Sequence, residues 1–458
     1  MQDVKASFFK NYLRGLLEFL VAPNRITWVI FDLISLPFIF IFFVWLSPKE
    51  VWGQFQPDLI NAGITYSVFF IIIALGFGYY DKSQRFKMTF VARTAAVTCA
   101  ISFVLTIAFV YLFFYKVFGR YNLIFGSLGC ALISVLIRYL LSRFLISYPF
   151  RFIFLGRSNL TEEVIFFFRN QISTPKHYDF VGVIELNEES PDNEMQAKIK
   201  NDVAAVIINH NDLVRSEASL IALQALKLGA RVTDDITFFA EIFERVPIGD
   251  QTRTWIIRES VQTHHFIRDI SKRIFDIVFS AIAIVALSVP MLLIALLIKL
   301  TDFGPSFYFQ KRHGKYGNPF VIIKFRTMRV GSSVAGGLTQ HKDERVTWIG
   351  KIIRPLHLDE LPQLWNILRG EMSIVGPRPE YFELLTKMNL ITPLYELRLL
   401  ATPGLTGWAQ INQGYTMDSI DEIKLKLSFD LFYVCRHSLW LDMRIIIRTI
   451  FTLARRAR

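Results

Sequence analysis

Long apolar runs divided by short polar ones dominate the first third of the chain. Stretches of membrane-spanning length lie at about Trp28 to Ser47, Gly63 to Tyr80, Thr94 to Tyr115 and Leu123 to Leu145, so the pattern predicts four transmembrane helices within residues 1–147. The first connecting loop (Lys49, Glu50, Asp58) is slightly acidic. The N-terminal segment (Lys5, Lys10, Arg14), the Asp81 to Arg93 loop and the Arg143 to Arg151 exit are net basic. Basic loops stay cytoplasmic, which places both ends of the bundle on that side, with Lys116 and Arg120 as a counter-signal. The apolar run after the first basic residues is short, ends at Pro23 and lacks a small-residue cleavage site, which argues against a signal peptide. Asp32 and Arg138 sit inside apolar runs, where a lone charge costs about 2.5–3.5 kcal/mol. A partner inside the bundle, or snorkelling of Arg138, explains them more simply than a functional intramembrane charge.

From Arg151 the period changes. Phe152 to Leu155, Phe180 to Ile184, Ala204 to Ile208 and Arg231 to Thr233 read as strands, alternating with helical stretches such as Thr161 to Arg169 and Ser219 to Leu228, the latter closed by Gly229. This predicts a Rossmann-like βαβ domain over residues 148–262, with Asn187 to Asn193 as a polar loop. The first strand leads into Gly156-Arg157-Ser158-Asn159, one glycine where a dinucleotide loop needs three. A structural or regulatory module is therefore the stronger reading and cofactor binding the weaker.

A fifth apolar segment, Ile274 to Ile298, is flanked by Lys272-Arg273 and Lys299, so charge places both of its ends at one cytoplasmic surface. Pro290 removes an N–H and frees the Ala286 carbonyl, and Ser288 offers a hydroxyl near that break. A re-entrant helix that dips in and returns fits better than a fifth ordinary span.

Composition sharpens this picture. Of 458 residues, 52% are hydrophobic and 43 are phenylalanine, too apolar for a set of soluble domains. The net charge is nevertheless +12, and from Phe266 onward 26 Lys and Arg stand against 16 Asp and Glu. Such an excess suits nucleic acid, anionic lipid or phosphorylated substrates. Cys99, Cys130 and Cys435 form no disulfide framework or zinc pattern.

The candidate chemistry follows the fifth segment. In the strand predicted over 318–328, Lys324 and Arg326 project from one face, a polyanion-binding arrangement unless the face is merely solvated. In Arg354-Pro355-Leu356-His357-Leu358-Asp359-Glu360-Leu361-Pro362-Gln363 the apolar spacing predicts a helix, and Pro362 puts Asp359 and Glu360 at its N-terminus. Neighbouring helical positions diverge by about 100°, so the two carboxylates would divide the work. One attacks or ligates and the other handles a proton or a metal ion; the plainer alternative is a pair of capping acids. Arg378, held between Pro377 and Pro379, is prepared to fork onto phosphate oxygens.

With these motifs in order, Lys272 to Arg448 resembles the catalytic domain of the monotopic polyprenyl-phosphate phosphoglycosyl transferases, a family of bacterial sugar transferases. The matching stretches are Lys272-Arg273-Ile274-Phe275-Asp276, residues 324–328 (Lys-Phe-Arg-Thr-Met), 358–363 (Leu-Asp-Glu-Leu-Pro-Gln), 375–379 (Val-Gly-Pro-Arg-Pro) and 407–410 (Gly-Trp-Ala-Gln). Membrane helices followed by a nucleotide fold resemble its large members. The resemblance implies a C-terminal monotopic α/β catalytic domain over residues 263–458, with the re-entrant hairpin at 274–298 and an amphipathic C-terminal helix. The implied reaction moves a sugar-1-phosphate from a UDP-sugar to undecaprenyl phosphate at the bacterial inner membrane, on its cytoplasmic face, and so initiates exopolysaccharide, capsule or O-antigen synthesis. Asp359 would be the nucleophile and, with Glu360, would contact Mg²⁺. Lys324, Arg354 and Arg378 would hold phosphates, with Arg326 and Gln410 as further substrate contacts. Family members carry a basic residue where this chain has Thr402, and Arg398 would supply that charge. The hairpin break is Ser288-Val289-Pro290 in place of an adjacent Ser-Pro, and the residues after Asn412 (Gln413-Gly414-Tyr415) also depart from the family pattern.

The tail from Leu439 alternates apolar residues with Arg444, Arg448 and Arg455. It reads equally as an in-plane helix on anionic lipid or as a core-packed final helix. The bundle offers a surface for a homodimer. Three rivals stand: a membrane-tethered nucleotide-sugar dehydratase, which lacks its glycine loop here; a non-catalytic scaffold, against which the intact site argues; and a nucleic-acid binder, whose basic residues would lie beside exposed aromatics.

Overall fold

The computed structural model describes residues 25–46, 56–77, 79–80, 88–114, 120–147, 150–170, 178–185, 203–212, 216–228, 230–262, 266–331, 345–413 and 419–456. Lys5, Lys10, Arg14, Lys49, Glu50, Lys116, residues 81–87, the 187–193 loop, Gly229 and Gly414-Tyr415 lie outside them. The chain divides into two compact units, Met1–Ile242 and Phe243–Arg458.

The first unit begins with α1 (Arg25–Trp45), α2 (Gln56–Gly76), α3 (Met88–Phe114) and α4 (Arg120–Ser147). Each helix packs on its neighbour and α1 closes on α4, which makes a four-helix bundle. Its polarity is inverted: Phe38, Leu132 and Leu136 face outward while Ser67, Thr98, Ser102, Thr106, Ser127 and Ser134 are buried. A bundle surrounded by lipid gains nothing from hiding apolar side chains, so hydrogen bonds and close packing hold it instead. Tyr66 donates to the Ser127 carbonyl at 3.3 Å, and the Tyr79 and Ser134 hydroxyls pair at 3.0 Å. Gly126 and Gly129 let α4 approach α1 closely, since a methyl on Gly129 would lie 2.2 Å from the Phe43 ring.

The intramembrane charges find each other. Arg138 binds Asp32 at 2.9 Å, Tyr80 donates to the same carboxylate at 2.7 Å, and the guanidinium lies 4.1 Å from the centre of the Tyr79 ring. Among the described residues, four helices are long and apolar enough to cross a membrane: Trp28–Trp45, Thr89–Leu112, Leu123–Leu140 and Asp269–Thr301. The set differs from the expected one. The apolar run of α2, Ile60–Gly76, rises only about 25 Å against a core of about 30 Å, and the fifth apolar segment qualifies in its place.

Four parallel strands follow, β1 (Phe150–Leu155), β2 (Tyr178–Ile184), β3 (Ala205–Ile208) and β4 (Arg231–Asp234), in the order β2-β1-β3-β4. They lie where the sequence puts them, with α5 (Asn159–Asn170), α6 (Ser216–Lys227) and α7 (Asp235–Phe243) between and after them. Strand β1 is buried on both faces, as crossover helices require. Ile153 and Leu155 join an aliphatic core with Ile221, and Phe152 meets Phe168, Phe180 and Phe238. At the carboxyl ends of the strands, where a nucleotide phosphate would sit, protein oxygens already occupy the space. A methyl on Gly156 (φ 77°) would lie 2.5 Å from an Asp212 carboxylate oxygen. Asp235 accepts the His210 N–H and the Ser158 hydroxyl.

The second unit contains α8 (Asp250–Gln262) and the 37-residue α9 (Phe266–Asp302). An antiparallel hairpin follows, β5 (Phe307–His313) and β6 (Pro319–Phe325), then α10 (Trp348–Ile353). Next come α11 (Leu364–Arg369), the parallel pair β7 (Ser373–Val375) and β8 (Gly404–Thr406), and α12 (Phe382–Ile391) between them. The helices α13 (Trp408–Asn412), α14 (Ile420–Arg436) and α15 (Leu439–Arg456) complete it. Helix α9 runs unbroken through Pro290, and the Ser288 hydroxyl satisfies the Val285 carbonyl at 2.8 Å, not that of Ala286. Both flanks of α9 pack on this unit. Phe275, Ala283 and Ile284 join the cluster of Ile374, Trp408 and Ile445, while Ile294 and Ile298 join Phe325, Ile349 and Ile353. Between the flanks Val285, Val289 and Leu292 are 65–75% exposed. Of the two readings of the tail, the packed helix describes the first half of α15, where Asp442, Arg444 and Ile445 are buried.

Candidate active site

Strand β6 and the segment after α10 bring the motif residues together. His357 takes a left-handed conformation (φ 53°) and opens a 3₁₀ turn over Leu358–Gln363, which α11 continues. The first turn is thus tighter than the α-helix expected, with Pro362 tolerated inside it. Asn366, fully buried, ties this region to β6: its amide donates to the Val321 carbonyl at 2.7 Å and accepts the Ile323 N–H at 3.1 Å. That places Lys324 over the 3₁₀ turn.

Asp359 and Glu360 do divide into two states. Glu360 is buried and accepts Lys324 and Arg378, each at 2.7 Å on the same oxygen, with a longer Arg378 contact of 3.4 Å on the other. Burial alone would raise its carboxyl, but Arg378 and Lys324 outweigh it and hold the group well below the usual carboxylate range. Asp359 is half-buried and forms no ion pair among the described residues. Burial pushes it up, the Glu360 charge adds to this, and Lys324 and Arg354 offset only part, leaving it at about 6. Arg354 is braced by the Thr327 hydroxyl at 2.7 Å.

The remaining expected site residues lie elsewhere. Arg326 stands beyond the end of β6, its guanidinium against Gly304, where a methyl would lie 2.1 Å from Nη1. Gln410 sits in α13 behind Gly407. Arg398 is buried at 2% exposure, with its guanidinium committed to Asp430, Glu380 and the Arg378 carbonyl. Ser288 and Pro290 occupy the exposed middle of α9.

The Lys272-Arg273-Asp276 motif works as a brace. Lys272 binds the Val375 carbonyl and Asp442, Arg273 caps α11 through the Ile367 and Leu368 carbonyls, and Asp276 accepts the Ile374 N–H. Sequence reasoning missed Asn366, Glu380, Lys426 and Asp430. Polar residues at core-facing positions of helices are the signal that could have raised Asn366, Lys426 and Asp430, while Glu380 stands in the loop after Pro379.

Magnesium is bound through one or two carboxylates together with substrate phosphates, not by an all-protein cage. Among the described residues there is no cluster of three or more metal-ligating side chains, and Asp359, half-buried and in no ion pair among those residues, fits as the single protein ligand of such an ion. Glu360 fits less well, since its oxygens already face two cations.

A family profile described as bacterial sugar transferase matches residues 267–456. The UDP-N-acetylgalactosamine-undecaprenyl-phosphate N-acetylgalactosaminephosphotransferase of Aeromonas hydrophila is 43% identical over 183 residues, 40% of this chain and 43% of that one. A UDP-glucose:undecaprenyl-phosphate glucose-1-phosphate transferase of Caulobacter vibrioides is 39% identical over 211 residues, 45% of this chain and 78% of its own. The exopolysaccharide production protein ExoY of Sinorhizobium fredii is 39% identical over 197 residues, 40% of this chain and 84% of that protein. The match spans less than half the length of the Aeromonas relative and of a Xanthomonas campestris glucose-1-phosphate transferase.

Proposed function

We propose that this chain, which belongs to the bacterial sugar transferase family, transfers a sugar-1-phosphate from a UDP-sugar to undecaprenyl phosphate, giving undecaprenyl-diphosphate-sugar and UMP. The observation that carries this reading is the asymmetry of the acidic pair: an uncommitted Asp359 beside a Glu360 clamped by Lys324 and Arg378. An Asp359 oxygen attacks the sugar-bearing phosphorus, the bond to the UMP phosphate oxygen breaks, and UMP leaves. The undecaprenyl phosphate oxygen then attacks the same phosphorus and Asp359 is released. A carboxylate approaches a dianionic diphosphate only where cations screen both. Lys324, Arg354 and Arg378 supply that screening. Magnesium, held by Asp359 and the phosphates, would add Lewis-acid screening of the diphosphate. Glu360 keeps the two cations in register.

The acceptor is a lipid, and α9 supports a site at the membrane. Its flanks pack on one unit and its apolar middle is exposed, which suits a helix whose middle is set into the bilayer while it runs on past Ser288 and Pro290. Relatives named for exopolysaccharide production support exopolysaccharide assembly as the setting, and the candidate spans support a membrane location, which we take to be the bacterial inner membrane. The test is UMP release by purified protein given Mg²⁺, undecaprenyl phosphate and a panel of UDP-sugars. Wild type is expected to release UMP with at least one donor, and Asp359→Asn to abolish release. A variant that still turns over overturns the assignment of the nucleophile.

A further inference from the structure

Arg378 has to present its guanidinium from a loop that cannot anchor itself. Pro377 and Pro379 have no N–H, so the backbone on either side of Arg378 is gripped only through its carbonyls. All three are gripped. The Pro377 carbonyl accepts the Gly404 N–H at 3.0 Å, the Arg378 carbonyl accepts Arg398 Nη2 at 2.9 Å, and the Pro379 carbonyl accepts Arg312 Nη1 at 3.1 Å. Arg312 is itself stacked 3.4 Å from the centre of the Tyr381 ring. Behind the middle grip lies a four-charge cluster. Arg398 pairs with Asp430 at 2.7 Å and with Glu380 at 3.2 Å, and Glu380 also binds Lys426 and receives the Tyr395 hydroxyl. Two cations and two anions balance there, all of them 8% exposed or less.

Burying four charges is a poor way to gain stability, because desolvation consumes most of the Coulomb attraction; fixing one arrangement is the better-attested use of such clusters. The arrangement fixed here is the backbone of Arg378. We infer that Arg398, anchored by Asp430 and Glu380, is a positioning residue: it holds the Arg378 carbonyl and thereby aims the Arg378 guanidinium at Glu360 and at the diphosphate of the proposed reaction. The diphosphate half of this statement rests on the function proposed above; the Glu360 half does not.

The experiment compares the full chain with Arg398→Gln, Arg398→Lys, Arg378→Gln and the Arg398→Gln/Arg378→Gln double variant. Three readouts are taken: UMP release, thermal midpoint, and carbodiimide-driven amidation of Glu360 followed by mass spectrometry. Arg398→Gln is expected to slow turnover on the order of tenfold to a hundredfold, the usual consequence of a catalytic group misplaced by about 1 Å. It is also expected to raise Glu360 labelling above wild type, as Arg378 swings away. Arg398→Lys recovers part of both effects. The double variant is no slower than Arg378→Gln alone, because Arg398 acts through Arg378. Rate losses that multiply in the double variant, or Glu360 labelling unchanged in Arg398→Gln, overturn the inference. If wild type releases no UMP with any donor, the proposed reaction has failed and the labelling alone decides the positioning role. Should Arg398→Gln not fold, Asp430→Asn, which leaves the guanidinium without its anchor, is read by the same criteria.

Discussion

At the scale of single residues, the site rests on charges whose states are set by neighbours, and Glu380 gives the cleanest consequence. Lys426 and Arg398 overcome its burial and lower its carboxyl from the usual 4.5 to about 2. A group depressed in the folded state stabilises fully above its unfolded pKa, and that contribution is lost as pH falls toward the folded one. The window is therefore about pH 4.5 down to 2, and the shift corresponds to something on the order of 3 kcal/mol. Asp430 moves the other way, since burial outweighs Arg398 there, and it offsets part of this. Thermal midpoints should thus fall between pH 5 and 3 in wild type and fall less in Glu380→Gln; equal slopes in the two proteins would refute the link. Glu380 also shows what the sequence withholds. Asp359, Glu360, Lys324 and Arg378 stand in stiff, ordered motifs and could be chosen without a structure. The charge partners of Glu380, Arg398 and Lys426, lie 18 and 46 residues away on other helical segments, and Asn366 is a lone amide in a short helix. Nothing local distinguishes these from ordinary surface residues. Arg398 marks the same limit: its charge was legible, but its direction depends on Asp430.

At the scale of elements, periodicity located the four strands of the parallel sheet: the central β1 and β3, mostly buried, write continuous apolar runs, and the edge strands β2 and β4 are short β-rich runs between polar turns. It did less well where geometry departs from an ideal helix. The start of the Asp359 helix is a 3₁₀ turn, and α9 passes Pro290 without a lost turn, two outcomes that depend on tertiary packing. The same packing gives the Lys272-Arg273 motif its meaning. Helix α11 is only six residues long, too short to persist alone. Its last carbonyls are taken by Arg273 at 2.6 and 2.7 Å, where a cation also meets the negative end of the helix dipole. Arg273→Ala removes charge-assisted bonds worth about 1.5–3 kcal/mol and is expected to lower the melting temperature of the full chain. Arg273→Lys, which reaches one carbonyl but cannot fork across two, should fall between them. A melting temperature unchanged in Arg273→Ala would show that α11 is held by its packing alone.

At the scale of the whole molecule, two distributions organise the chain: grease concentrated in five helical segments and positive charge concentrated after Phe266. The bundle treats charge in the opposite way from the second unit. Where the second unit keeps Asp359 uncommitted, the bundle encloses its acid completely, with Asp32 and Arg138 at 1% and 5% exposure, paired with each other and ringed by Tyr79, Tyr80 and Trp28. Arg138 on α4 bonds Asp32 on α1 and the Ser134 hydroxyl and carbonyl, which points to a fastener between the two helices. Breaking one partner of a buried pair costs about 3–5 kcal/mol, because a charge is left stranded, whereas replacing both with apolar groups is near neutral. Asp32→Ala and Arg138→Met should each lower the yield and melting temperature of the detergent-solubilised protein, and the double variant should recover most of the loss. UMP release per folded molecule should stay near wild type throughout, since neither residue belongs to the unit that carries Asp359. Losses that add in the double variant, or turnover that falls while folding is restored, would mean that the pair does more than fasten the bundle.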